Sequence, residues 1–395
     1  MELGLYEARD TLLSLVCPLK QTTFVPLNLA LGRVTSEAIV CQKNLPSFNN
    51  AALDGFAFAH HEHAQTLRIK ATIYAGRAQV PILEKDECYK IMTGAKVPED
   101  ADTIVAFEDA LKYDEATVTL PPLVKKGNAF RVKGEEQAKG NVLIEAGTTL
   151  SPSHIAMLAA QGITQVPVVV RPRVAVVSTG DELKEPWEQS GEDEIHNCNS
   201  YALVALLQSA GFEADYSGVI PDSLEASKHF IGGLKIYDAV ISSGGISAGE
   251  ADFVREGLEA NGFEAAFHGI NIKPGRPTMV GRMGKTLVIS LPGNPMAAFL
   301  NGFLLALPAL KKLSGMGTVT PPFLRATNAL AFTCKGGRNE LVLGRIEAGV
   351  FTVTRSNKYG SGMLTPLLES NAVLVSEASQ KHFDAGCEVW CVLLP

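Results

Sequence analysis

The sequence predicts an α/β multidomain protein built around a doubly wound sheet with helices on both faces. Three observations carry this expectation. From Arg173 onward, short apolar runs alternate with segments of helical periodicity. The regions on either side are instead rich in strands, turns and glycines. The chain, at 395 residues, also exceeds one ordinary core and fits two to four domains.

The elements follow in order. Residues 1–40 read as helical and then extended, about 46–140 as strand- and turn-rich, and Ser153–Gly162 as a short helix opened by a Ser-Pro pair. Arg173–Thr179 is a continuous apolar run, read as a buried strand. Asn199–Gly211 is a helix stopped by its glycine, and Glu213–Ile220 is a strand. Asp222–Leu234 is a helix with Asp222 as N-cap, followed by a strand over Tyr237–Ser243. A helix over Ala251–Gly262 and strands over Phe263–Ile270 and Thr286–Leu291 come next, then a long helix from Asn294 to about Leu313. After Gly315, Pro321-Pro322 is the expected linker to a small C-terminal β domain. Ligands of such sheets bind beyond the carboxyl ends of the strands, which directs attention to the loops after Val177, Ile220, Ile241 and Ile289.

Composition narrows the partners. A net charge of −7, from 35 Lys+Arg against 42 Asp+Glu, argues against a broad basic face, so no nucleic acid is expected. With 46% hydrophobic and 19% charged residues the chain is not of the disordered class. The N-terminal residues show neither a basic n-region nor an apolar h-region. The most apolar helical stretch, Pro295 to Leu310, contains Asn301 and two prolines, so no membrane span is expected. Cys17, Cys41, Cys88, Cys198, Cys334, Cys387 and Cys391 are scattered, odd in number and without a CxxC pair, which fits reduced thiols and a cytoplasmic location.

The loops carry the chemistry. Ser178-Thr179-Gly180-Asp181-Glu182 lacks the glycine spacing of a dinucleotide site. It offers hydroxyls for an oxyanion and carboxylates for a hard cation such as Mg²⁺, or the acidic pair simply caps the next element. Residues 242–252 put three serines and three glycines (Ser242, Ser243, Gly244, Gly245, Ser247, Gly249) between a strand and a helix, ahead of Asp252. Their amides can form an anion-holding nest at a helix N-terminus, where the plain alternative is a flexible turn. Gly245 to Gly249 also fits the Gly-x-Ser-x-Gly elbow of a serine hydrolase. Against that reading, Ser247 lies several residues past the strand, and the downstream histidines are His268 in a strand and the distant His382.

The loop Lys273-Pro274-Gly275-Arg276-Pro277 holds two cations on a stiff backbone, suited to a tetrahedral oxyanion, or forms a rigid turn with solvated charges. Pro292-Gly293-Asn294-Pro295 opens the long helix with an Asn N-cap and Pro at the first helical position. Residues 281–286 end like a P-loop, but Met279 stands where the first glycine is required. Asp54-Gly55 is by itself an ordinary turn, and His60-His61-Glu62-His63 reads as a solvated loop in preference to a metal site.

Seven motifs in order are PSFNNAALDGFAF from Pro46, IMTGAKVPEDADTIVAFED from Ile91, VSTGDEL from Val177, ISSGGISAGEADF from Ile241, IKPGRP from Ile272, LPGNP from Leu291 and GSGML from Gly360. Together they resemble the MoeA-type molybdopterin molybdenumtransferases, relatives of the gephyrin E domain, over nearly the whole chain. The resemblance implies an enzyme that inserts molybdate into adenylylated molybdopterin with Mg²⁺, releasing AMP and molybdenum cofactor. It further implies an elongated homodimer with sites shared between subunits, an upstream adenylyltransferase and recipient molybdoenzymes as further partners. A helical/extended N-terminal domain would be split over 1–45 and 141–172, with a β-rich domain inserted at 46–140. A molybdopterin-binding α/β domain would span 173–317, and a C-terminal β domain 318–395.

By the same resemblance Asp54, Thr93, Glu182, Asp222, Asp252, Lys273 and Arg276 are expected catalytic residues, with Asp54, Glu182, Asp222 and Asp252 holding the metal. Thr179, Gly180, Asp181, Ser243, Gly244, Gly245, Ser247, Gly249, Pro274, Gly275, Pro277, Pro292, Gly293, Asn294, Arg338 and Ser361 are expected around pterin phosphate and molybdate. The chain departs from the family pattern at Asn49, Ala51, Phe56, Glu136, Asn197 and Arg276. These departures leave room for a catalytically altered pterin-binding paralogue, or for one that takes tungstate.

Overall fold

The computed structural model describes residues 2–60, 64–76, 80–245 and 253–395. Its central region comprises β1 (Val174–Thr179), α1 (Asn199–Ser209), β2 (Ala214–Ile220), α2 (Leu224–Gly233) and β3 (Ala239–Ser243). It continues with α3 (Phe253–Ala260), β4 (Phe263–His268), β5 (Met279–Met283), β6 (Thr286–Leu291) and α4 (Pro295–Leu313). The sheet order is β2-β1-β3-β6-β5-β4. The first four strands run parallel, whereas β5 is antiparallel to both β6 and β4.

The strands alternate between two cores because successive side chains point to opposite faces. Val174, Val176, Ile241 and Ile289 join Leu203, Leu207 and Leu300 on one face. Ala175, Val177, Val240 and Val288 join Ile231, Val254 and Leu258 on the other. Each face is therefore covered by helices, which is why these strands read as unbroken apolar runs. The long helix α4 meets the length and hydropathy of a membrane span, yet 83% of its most apolar window is buried inside the molecule. A five-residue π-helical stretch, Gly302–Ala306, interrupts it.

Several elements differ from expectation. Strand β5 was not anticipated: Met-Val-Gly-Arg-Met is short and broken by Gly281 and Arg282, and Gly284 turns the hairpin into β6. The N-cap of α2 is Ser223, not Asp222, because the backbone of Ser223 is extended and its carbonyl accepts the Ser227 N–H at 2.8 Å. The helix Leu5–Leu15 buries Leu5, Ala8 and Leu12 in the same core as Val174 and Leu310, although residues 1–45 were expected to form another domain.

Around this centre, Thr22–Pro26 pairs with Gln165–Val169 and Ile39–Val40 pairs with Val142–Ile144, so chain segments on both sides of residues 46–140 meet around Leu158. The intervening segment folds into a six-stranded sheet with Phe58, Tyr89 and Ile104 fully buried. At the C-terminus Asn339–Glu347, Val350–Val353, Phe323–Asn328, Glu388–Leu393 and Ala372–Val375 hydrogen-bond in that order. The last strand pairs back to the first and closes the ring. Ile272–Lys273 adds to this ring in parallel with Asn339–Glu340, tying the cationic loop to the C-terminal domain.

Candidate active site

The carboxyl ends of β1, β2, β3 and β6 open into a cleft of about 860 Å³. Thr179, Gly180, Asp181, Glu182, Asp222, Ser243, Gly244, Gly245, Pro277, Pro292, Gly293 and Asn294 all line it. The volume suits a substrate of cofactor size. Its floor is held by close contact between strand ends. Gly244 and Gly245 have φ of +91° and +64°, and a Cβ on Gly245 would stand 2.5 Å from Thr179 Oγ1. Only glycine lets these ends approach so closely. Ser247, Gly249 and Asp252 lie outside the described residues.

One residue that sequence reasoning missed ties three loops together. Asn199 Nδ2 donates to Ser243 Oγ and to the Gly293 carbonyl, each at 2.7 Å. Ser243 Oγ in turn donates to the Pro292 carbonyl at 3.2 Å. The available signal was an amide at the first turn of the helix after the first loop. Beneath it Asn197, 2% exposed, accepts from Ser178 Oγ at 3.1 Å and from the Ser200 N–H at 3.2 Å. Its Nδ2 donates to Tyr216 Oη at 2.9 Å. An amide here supplies a donor that a carboxylate could not, which accounts physically for Asn197.

Asp222, freed from capping, faces Asp181. Desolvation first, then the hydrogen bond shared with Asp181 and the charges of Asp181 and Glu182, raise its carboxyl above the ordinary value. Carboxylates crowded on a cleft rim are oxygen donors of the kind a hard divalent cation takes. Mg²⁺ commonly binds one or two carboxylates and completes its shell with water and substrate phosphate. These residues fit such an ion, although no group of three or more His, Cys, Asp or Glu placed for a metal occurs among the described residues.

The remaining expected residues lie elsewhere. Asp54 and Thr93, 39 residues apart, are brought together in the inserted domain, where Thr93 N and Oγ1 both donate to Asp54 Oδ1 at 2.6 and 2.7 Å. The backbone bond and then the hydroxyl hold the Asp54 carboxyl below the usual carboxylate range. Neither residue lines the cleft of its own chain. Gly55 follows because its position crosses Val105 so closely that a Cβ would stand 2.1 Å from the Val105 carbonyl oxygen.

In the cationic loop only Pro277 reaches the cleft lining. Lys273 Nζ donates to Glu340 at 2.9 Å, and Arg276 is paired with Glu2. The turn rests on Asn301, whose Nδ2 donates to the Gly275 carbonyl at 3.1 Å and to Thr278 Oγ1 at 2.8 Å. Pro274 precedes that turn, and Arg338 acts electrostatically on Glu2. The Ser361 carbonyl accepts the Met296 N–H at 3.2 Å, and its neighbour Gly362 lines the cleft. Of the decoys, His60 Nε2 contacts the Val124 carbonyl at 2.8 Å while His61, Glu62 and His63 lie outside the described residues.

Comparison with known proteins finds family models over most of the chain. Residues 3–162 match the MoeA N-terminal region (domain I and II), 175–312 a probable molybdopterin binding domain, and 325–394 the MoeA C-terminal region (domain IV). The molybdopterin molybdenumtransferase of Haemophilus influenzae is 32% identical over 391 residues, covering 97% of this chain and 96% of that protein. The chain belongs to the MoeA family. The molybdopterin molybdenumtransferase of Staphylococcus aureus is 28% identical over 93% of this chain and 90% of its own length. Among solved structures, the molybdopterin biosynthesis MoeA protein of Pyrococcus horikoshii superposes over 100% of both chains with a TM-score of 0.85 at 30% identity. Ala51 and Phe56 are both fully buried, and Phe56 packs edge-on against Phe107 and Tyr113.

Proposed function

We propose that this protein is a molybdopterin molybdenumtransferase, taking adenylylated molybdopterin and molybdate to molybdenum cofactor and AMP. The observation that carries the reading is the single cleft in which Gly244 and Gly245, the acidic pair Asp181–Asp222 and the opening of α4 at Asn294 meet. In this reading the strand end at Gly245 and the opening of α4 face the pterin phosphate, where the helix N-terminus favours negative charge. Pro277 brings the cationic loop to the cleft lining, and in this reading the neighbouring Lys273 and Arg276 draw in the molybdate substrate. Asp181, Glu182 and Asp222 would hold Mg²⁺, joined in this reading by Asp252. That ion would neutralise charge at the phosphate being cleaved. Orientation by fixed groups supplies much of the remaining rate.

Asp54 and Thr93 complete the site from a second copy of the chain, a reading supported by their absence from the cleft of their own chain and by their shared hydrogen bonds. The functional unit is then a homodimer, served by an upstream adenylyltransferase and by recipient molybdoenzymes. Free thiols at all seven cysteines support a cytoplasmic location. Purified protein incubated with adenylylated molybdopterin, Mg²⁺ and molybdate should release AMP in a molybdate-dependent manner. Absence of AMP above background would sink this reading and favour a pterin-binding scaffold.

A further inference from the structure

Both cations of the loop are matched to carboxylates, and the two matches differ in kind. Glu340 is 3% exposed. Its Oε2 holds Lys273 at 2.9 Å, and its Oε1 accepts the backbone N–H groups of Lys335 and Gly336. Lys273 and Glu340 also face each other in parallel strand register. A carboxylate buried and bonded in this way stays in place, since removing it would leave orphaned donors.

Glu2 is the opposite case, with a side chain 35% exposed. Arg276 Nε donates to its two oxygens at 2.9 and 3.2 Å, and Nη2 donates at 2.6 Å. The backbone around it is nevertheless fixed. Leu3 bridges Ile270 in parallel and accepts the Asn271 N–H at 2.7 Å, while Leu5 N–H donates to Asn339 Oδ1 at 3.1 Å. Residues 2–5 are thereby laid beside the cationic loop, and the carboxylate of Glu2 is more exposed than that of Glu340, which two backbone N–H groups also hold. The charge of Arg338 also acts on this carboxylate. A carboxylate on an arginine fork takes up the donors that two oxygens of a tetrahedral oxyanion would use.

We propose that Glu2 is a resident internal anion on Arg276, which the substrate oxyanion must displace, so that Glu2 sets the affinity of the loop for oxyanions. The inference rests on the reading of this loop as the oxyanion site. Weak or singly charged anions do not displace a carboxylate held by the same fork, whereas molybdate, with two charges and four oxygens, competes.

The test is equilibrium dialysis of the full chain with molybdate, comparing wild type with Glu2→Gln and Glu2→Ala, alongside AMP release. Both variants should bind molybdate roughly two- to fivefold more tightly, as loss of a competing exposed ion pair allows. The KM for molybdate in AMP release should fall by a similar factor. Unchanged or weaker molybdate binding in both variants overturns the inference, because a carboxylate that merely orders Arg276 would weaken binding when removed. The two readouts separate the two claims. Wild type that releases AMP while the variants keep its KM removes the role of Glu2 and leaves the transferase. Tighter dialysis binding without any AMP release supports Glu2 and removes the transferase.

Discussion

At the scale of single residues, the candidate site is organised by carboxylates whose neighbours set their charge. Asp54 is held ionised by two donors from Thr93, a short-range arrangement on an exposed turn. Asp54→Asn is expected to lower AMP release on the order of 10²- to 10³-fold, the usual effect of removing one well-placed charged group. Its melting temperature should stay near wild type, since the residue is exposed. A comparable loss of pterin binding in a titration would contradict the assigned role.

Asp222 behaves in the reverse sense. Its folded pKa is raised, so protonation stabilises the folded protein, and this contribution is lost as pH rises through the raised value. Asp222→Asn cannot ionise and keeps that contribution. Thermal melts from acid to neutral pH should therefore show the variant gaining on wild type as pH rises. Curves that stay parallel would mean that Asp181 and Asp222 do not interact in solution.

Secondary-structure elements position these groups, and here polar residues placed in apolar surroundings matter most. Asn301 is 0% exposed within α4, where its Nδ2 supports the turn at Gly275. A Cβ on Gly275 would stand 2.3 Å from that same nitrogen, so the loop and the helix are shaped to one another. Asn301→Leu leaves the Gly275 carbonyl without this donor and is expected to destabilise the protein by about 1–3 kcal/mol in denaturant unfolding. Molybdate affinity should fall more than pterin affinity, because the altered turn carries Arg276. In the same way Asn199→Ala unties Ser243 from Gly293, and pterin affinity should fall while overall stability changes little.

For the whole molecule, Asp54 lies outside the cleft that its own chain lines. The homodimer reading makes a sharp prediction. Asp54→Asn and Asp222→Asn homodimers are each inactive. Mixed and allowed to exchange subunits, they should recover roughly a quarter of wild-type AMP release, because half of the dimers are then hybrids with one intact site each. No recovery, with exchange confirmed by a size or tag assay, would place all catalytic groups in one chain.

Much of this arrangement was legible in the sequence. Arg173–Thr179, Tyr237–Ser243 and Thr286–Leu291 read as strands, and their apolar runs arise because both faces are covered by helices, which removes any polar alternation. Turn chemistry likewise marked the loops after them, since glycine and serine at strand ends are local requirements. What tertiary structure decided were facts that depend on distant partners. The strand Met279–Met283 exists because Thr286–Leu291 and Phe263–His268 flank it, and its own residues are poor strand formers. Asp222 turned from a helix cap into a neighbour of Asp181, and the helix Leu5–Leu15 joined the central core. The pairings of Lys273 with Glu340 and Arg276 with Glu2 span 67 and 274 residues. The sequence by itself determined the family, the doubly wound centre and the loops that line the cleft, all written in local patterns. Only the tertiary structure decided which charges in those loops are already satisfied, because electrostatic energy depends on distance in space and not along the chain.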